Sequence, residues 1–254
     1  MTPIPDRDLR QRDIVPPERL VACIATVIGV GAIGRQVCLQ LAALGIPHLQ
    51  LIDFDTVEPV NLAPQGYLEQ DLGVLKVTAT AEMVRKIHSG ITLEPRPERF
   101  RRSVPVGDVV FCCVDKIDTR KLIWEALGQK TRFFADARMS AEVVRVLTAC
   151  NAKGRSHYPT TLFAAGEAFA GACTAKSTVF TANIAAGLML AAFAQFLRGM
   201  PPEPDVTLNL LAWELTTGSP SSTRPANSAP ASGFWMARPS ATPSSPSICW
   251  KKPA

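Results

Sequence analysis

The sequence predicts a doubly wound α/β domain on a mainly parallel sheet, and three observations carry that expectation. An apolar run, Val27-Ile28, enters Gly29-Val30-Gly31-Ala32-Ile33-Gly34 and then a stretch of helical spacing. The next apolar run closes on Asp53, roughly 20 residues beyond the glycines, the spacing of a nucleotide-binding strand–helix–strand unit. Beyond it, short apolar runs keep alternating with helix-like segments, as in a parallel sheet covered on both faces.

Taken in order, Val27 to Val30 reads as the first strand, and Ile33 to Leu44 as a helix stopped by Gly45. Leu49 to Asp53 is a short apolar strand. Lys76 to Ile87 has helical spacing through Val77, Met83, Val84 and Ile87. Asp108 to Val114 is a fully apolar strand, Arg120 to Leu127 a helix, and Phe133 to Ala135 and Val143 to Thr148 are further strands. Val179 to Leu197 is the most membrane-like stretch. It holds Thr181, Asn183 and Gln195 and is rich in alanine, a poor hydrocarbon anchor, so it reads as a core or dimer helix. Ala32 to Leu44 reads the same way. From Thr217 the composition shifts to Ser, Pro, Ala and Thr, which predicts a disordered tail over 217–254 behind an arm (1–20) and a nucleotide-binding domain (21–216).

Composition narrows the partners. The chain has 254 residues, 47% hydrophobic and 19% charged, enough for one large domain with its own core. The tail carries Arg224, Arg238, Lys251 and Lys252 and no acid, so only +1 of the net +5 belongs to the body. Such a body makes no electrostatic case for nucleic acid. Met1 to Arg12 is polar and charged, without the apolar core of a secretory signal. The seven cysteines are odd in number and include no C-x-x-C pair. A reduced, cytoplasmic protein without a membrane anchor is the expectation.

The motifs point to nucleotide chemistry. Gly29, Gly31 and Gly34 permit a tight strand-to-helix turn, so that backbone N–H groups at the helix start, near Ala32, face phosphate. Asp53, or its neighbour Asp55, can accept hydrogen bonds from ribose. Asn61 and Gln65 follow as amide side chains, and Lys76 follows Asp71-x-Gly73, a setting that suits a phosphate ligand. Asp115 ends an apolar strand, where a carboxylate together with substrate phosphates can hold Mg²⁺. Capping the next helix is its alternative role, although Asp118 is the better placed cap.

In this order the motifs resemble those of the ThiF/MoeB-type adenylyltransferases, relatives of the ubiquitin-activating enzymes. The resemblance rests on Arg7-Asp8-Leu9-Arg10-Gln11, the glycine loop, Asp53-Phe54-Asp55-Thr56-Val57-Glu58, Asn61-Leu62-Ala63-Pro64-Gln65, Asp71 to Lys76, and Val114-Asp115-Lys116. It covers about residues 7 to 200 and implies a Rossmann-like fold and a homodimer. The implied activity is ATP- and Mg²⁺-dependent adenylation of the C-terminal glycine of a small ubiquitin-like or sulfur-carrier protein. By the same resemblance Asp53 takes the ribose, Arg10 reaches the triphosphate in a partner subunit, with Arg12 as its competitor, and Cys173 accepts the activated carrier. Arg138-Met139 resembles a further pair of the family. The two C-x-x-C pairs that hold structural zinc in many members do not occur, so no such zinc is expected.

Two positions depart from the pattern. Pro64 stands where the family has an arginine, and Lys116 where it has an asparagine. Arg35 and Lys116 are the candidates for the missing charge. A scaffold that has lost adenylation, and an NAD-dependent oxidoreductase using the same glycines, are the competing readings.

Overall fold

The computed structural model describes residues 7–164 and 177–218. Among these residues eight strands form one sheet: β1 (Ile24–Ile28), β2 (His48–Ile52), β3 (Thr92–Arg96), β4 (Val109–Cys112), β5 (Phe133–Ser140), β6 (Val143–Ala149), β7 (Asp205–Asn209) and β8 (Glu214–Thr217). Their spatial order is β3-β2-β1-β4-β5-β6-β7-β8. The first five pair in parallel, and β5 to β8 pair antiparallel. Chain order reverses between β1 and β4, the switch point where ligands enter such sheets.

Among the described residues seven α-helices accompany the sheet: α1 (Pro17–Leu20), α2 (Ala32–Leu44), α3 (Leu62–Gln65), α4 (Lys76–Ile87), α5 (Ile117–Leu127), α6 (Ala152–His157) and α7 (Val179–Leu197). One face is covered by α2, α4 and α7, whose aliphatic residues pack with Val27, Leu49, Leu51 and Phe111. On the other face Ile123, Trp124 and Leu127 of α5 pack with Phe134, Leu147 and Tyr158. With both faces covered, β4 (Val-Val-Phe-Cys) reads as an unbroken apolar run, while β1 and β2 bury Thr26 and Gln50, which hydrogen-bond to each other.

The strands and helices anticipated from the sequence are present, with ends displaced by a few residues. Three strands were not anticipated. Edge strand β3, Thr-Leu-Glu-Pro-Arg, is short, polar and holds a proline, as edges tolerate. The β7–β8 hairpin lacks an apolar run, and all four residues of β8 are exposed. Thr217, placed in the tail, pairs with Val206, so the folded domain extends to Gly218. Residues beyond it, with Trp235 and Trp250, lie outside the described residues.

From Arg7 onward the arm is docked rather than loose. The Arg7 guanidinium donates to Ala42 O and Ala43 O, and the Gln11 amide to Leu44 O, so both hold the carbonyl end of α2. Val15 and Leu20 are buried beneath it. Helix α7 is long and apolar enough to cross a membrane, and half of its most apolar span is buried against α2, β5 and β6.

Candidate functional site

The glycine loop follows β1 as the sequence requires. Gly29 has φ +87°, and a Cβ there would stand 2.8 Å from Cys113 O. At Gly34 a Cβ would fall 1.8 Å from Gly29 O, so the first turn of α2 lies directly on the loop. Gly31 differs: the nearest atom to its added Cβ is Gln65 Oε1, at 3.9 Å. Two of these glycines serve packing, and Gly31 leaves open space at the loop's mouth.

Asp53 follows β2 and is buried. Its Oδ2 accepts from Val30 N–H at 2.6 Å and its Oδ1 from Asp55 N–H at 2.9 Å. Burial raises its pKa above the ordinary carboxylate value, and these two N–H groups act against that rise. Asp53 thus fixes the loop conformation from the position where a ribose would approach.

The Asp71-x-Gly73 segment is a turn that returns the chain to the site. Asp71 Oδ2 accepts from Leu68 N–H, Gly73 takes φ +77°, and Gly73 N–H donates to Val57 O. Lys76 N–H then donates to Asp55 O, and the Lys76 ammonium stands 3.2 Å from Asp55 Oδ2. Lys76 is 7% exposed, a buried cation at the start of α4. Asp55, half exposed, is its counter-ion here.

Asn61 precedes α3 and accepts from Glu58 N–H through Oδ1, which leaves its Nδ2 as a donor. Gln65 closes α3. Its backbone carbonyl accepts from the Gln36 amide, while its own Oε1 is buried without a partner beside Gly31. An orphaned amide at the loop's mouth is what a polar ligand would satisfy. Pro64 stands between them.

Asp115 lies exposed three residues past β4. Neither it nor Asp118 caps α5: the N-cap is Lys116, without a side-chain cap bond, and Asp118 sits inside the first turn. Arg120 donates to Val114 O and pairs with Asp136, which fixes the segment carrying Asp115. Asp136 is fully buried and also holds Arg138 at 3.0 Å and the Tyr158 hydroxyl at 2.9 Å. Arg138 further donates to Thr161 O and Oγ1, which makes it structural.

The C-terminal ends of β1, β2 and β4 therefore gather the glycine loop, Asp53, Lys76, Gln65 and Asp115 along one edge. Among the described residues no cluster of three or more His, Cys, Asp or Glu could hold a metal. Arg10 is exposed in the arm that grips the far end of α2, about 20 Å from the loop by helix rise, so it does not join its own chain's site. Cys173 lies outside the described residues. Arg35, proposed for the missing charge, is buried and turned toward Gly66, Tyr67 and Thr80. Tyr67 and Thr80 were not singled out from the sequence. Thr80's place four residues after Lys76, on the same face of α4, was the signal available.

Comparison with known proteins gives the family and the fold. Xenopus laevis "Adenylyltransferase and sulfurtransferase MOCS3" is 36% identical over 103 residues, covering 38% of this chain and 23% of that protein. Haloferax volcanii "SAMP-activating enzyme E1" is 33% identical over 120 residues, covering 44% of each. The chain thus matches less than half the length of either relative. A crystal structure of E. coli MccB superimposes with TM-score 0.70 at 16% identity, over 86% of this chain and 70% of that one, a likeness of fold. The ThiF family model spans residues 10–233, from the docked arm past β8, and the chain belongs to the ThiF family.

Proposed function

We propose that this chain is an ATP-dependent adenylyltransferase that activates the C-terminal glycine carboxylate of a small ubiquitin-like or sulfur-carrier protein. The observation that carries the reading is buried Lys76, paired with Asp55 and within electrostatic reach of Asp53 at the C-terminal edge of the sheet, next to the glycine loop that Asp53 holds. The adenosine ribose sits at Asp53 and the phosphates over the loop. Lys76 offsets phosphate charge, the amide N–H groups of Asn61 and Gln65 donate to phosphate oxygens, and Arg10 is supplied by a second copy. A carrier carboxylate oxygen bonds to the α-phosphorus as the bond to pyrophosphate breaks, giving an acyl-adenylate. The carboxylate is already ionised, so no general base is needed, and positioning and charge stabilisation carry the rate.

Asp115 suits Mg²⁺, since an exposed carboxylate plus substrate phosphates is the donor set that ion takes. When bound, Mg²⁺ adds charge neutralisation on the phosphates. A homodimer is supported by Arg10's distance from its own loop and by Phe180, Asn183 and Ala191, exposed on α7 at helical spacing. A cytoplasmic setting is supported by the free thiols of Cys23, Cys38, Cys112, Cys113 and Cys150.

Carrier-dependent exchange of labelled pyrophosphate into ATP tests the reading. Exchange is expected with the cognate carrier and not with one lacking its terminal glycine. Pro64 favours one alternative, a scaffold that keeps the fold without the chemistry, and that protein would bind ATP but not exchange. A melting temperature raised by NAD and unmoved by ATP·Mg²⁺ would point instead to an oxidoreductase.

A further inference from the structure

Among the described residues two arginines are buried to 1% exposure, and only one of them has a carboxylate. Arg138 rests on Asp136. Arg35 forms no ion pair among the described residues. Its Nε donates to Gly66 O and an Nη to Thr80 Oγ1, both at 3.2 Å, and its Cζ lies over the Tyr67 ring, 4.1 Å from the centroid. A guanidinium stays protonated. Its charge is therefore held out of water by neutral dipoles and a ring face, at a desolvation cost an anion would relieve.

Placement says where that anion belongs. Arg35 lies in the first turn of α2, and long helical side chains lean back toward the helix N-terminus, here the glycine loop. The positive end of the α2 dipole faces the same way. The Tyr67 hydroxyl donates to Val30 O at 2.7 Å and meets Thr80 Oγ1 at 3.2 Å. One cluster thus ties together the loop, the end of α3 and the lysine helix α4.

We propose that Arg35 supplies, from beneath the glycine loop, the positive charge that α3 lacks at Pro64, so that the site prefers a polyphosphate over the bare nucleoside. Arg35 does not touch the nucleotide; it is a positioning residue that acts through the loop and its field. The inference rests on the ATP reading above.

Adenosine, AMP, ADP and ATP are titrated calorimetrically, with Mg²⁺, into the full chain and its variants. Arg35→Met should cost about tenfold or more in ATP affinity, about 1.4 kcal/mol, and less than about threefold for adenosine. Arg35→Lys should recover most of the ATP-over-adenosine preference. Equal losses for ATP and adenosine, or a lysine variant no better than methionine, would overturn the assignment. If Arg35→Met does not fold, Pro64→Arg gives the second reading. It should raise ATP affinity less than about threefold if Arg35 already fills the role, and a rise of about tenfold would sink it. A parent with no preference for ATP removes the ATP reading itself. A parent whose preference survives in every variant removes only Arg35.

Discussion

Lys76 and Asp55 are joined twice, by the ion pair at 3.2 Å and by Lys76 N–H donating to Asp55 O at 2.9 Å. The backbone bond sets where α4 begins, and the ion pair holds the ammonium at the C-terminal edge of the sheet. An ammonium has three donors, and Asp55 takes one. The two aspartates that follow β2 therefore divide the work: Asp53 holds the loop, and Asp55 holds the cation.

That division predicts unequal variants. Lys76→Ala should reduce carrier-dependent pyrophosphate exchange by about 10²–10³-fold, the scale of losing one stabilising contact at developing charge. Asp55→Asn keeps an acceptor for Lys76 and should stay within about tenfold of the parent, or about 1.4 kcal/mol. Equal losses in steady-state exchange would show that Asp55 meets the nucleotide itself.

Gly31 and Gly34 should part in the same way. Gly34→Ala forces a Cβ to within 1.8 Å of Gly29 O, so a large fall in melting temperature is expected. Gly31→Ala meets nothing closer than 3.9 Å and should fold normally, yet its methyl occupies the mouth that phosphate would enter. Thermal melts with and without ATP·Mg²⁺ separate the two. If Gly31→Ala is stabilised by ATP as the parent is, the phosphates do not lie over this loop.

The site was legible where spacing alone determines it. The glycines, Asp53 and Lys76 each sit at a fixed offset from an apolar strand or a turn glycine, so their place follows from the fold. Networks that bind one segment to another were not legible. Nothing local in the sequence says that Tyr67 reaches back to Val30, or that Arg35 turns away from solvent. Asp136 closes an apolar run much as Asp53 does, but only the register of β5 beside β4 shows it fully enclosed by Arg120 and Arg138. The β7–β8 hairpin leaves no apolar pattern in the sequence because it extends the sheet with β8 wholly exposed.

Asp53 also has a pH signature. Burial raises its folded-state pKa, so its ionised form costs stability above that value, and the cost disappears as pH falls toward its unfolded value near 3.8. In denaturant unfolding from pH 7 downward, the parent should gain stability relative to Asp53→Asn. The opposite slope would mean that the N–H bonds from Val30 and Asp55 outweigh desolvation.

The last prediction concerns the thiols. Burial raises the pKa of every described cysteine: Cys23 to about 11, with Cys38, Cys112, Cys113 and Cys150 shifted in the same direction. Thiolate is the reactive form, so these five should alkylate slowly in the folded protein at neutral pH. Cys173 is the proposed acceptor of the activated carrier. If it has that role, iodoacetamide should label it first, as peptide mapping after short exposure would show. Cys173→Ser, given the cognate carrier and ATP, should still form the adenylate, because attack at the α-phosphorus does not involve a thiol. The reducible enzyme–carrier adduct formed by the parent should vanish in this variant. An adduct that persists in Cys173→Ser assigns the linkage to another residue. A parent that forms adenylate and no adduct is an activating enzyme alone, and its Cys173 takes no part in transfer.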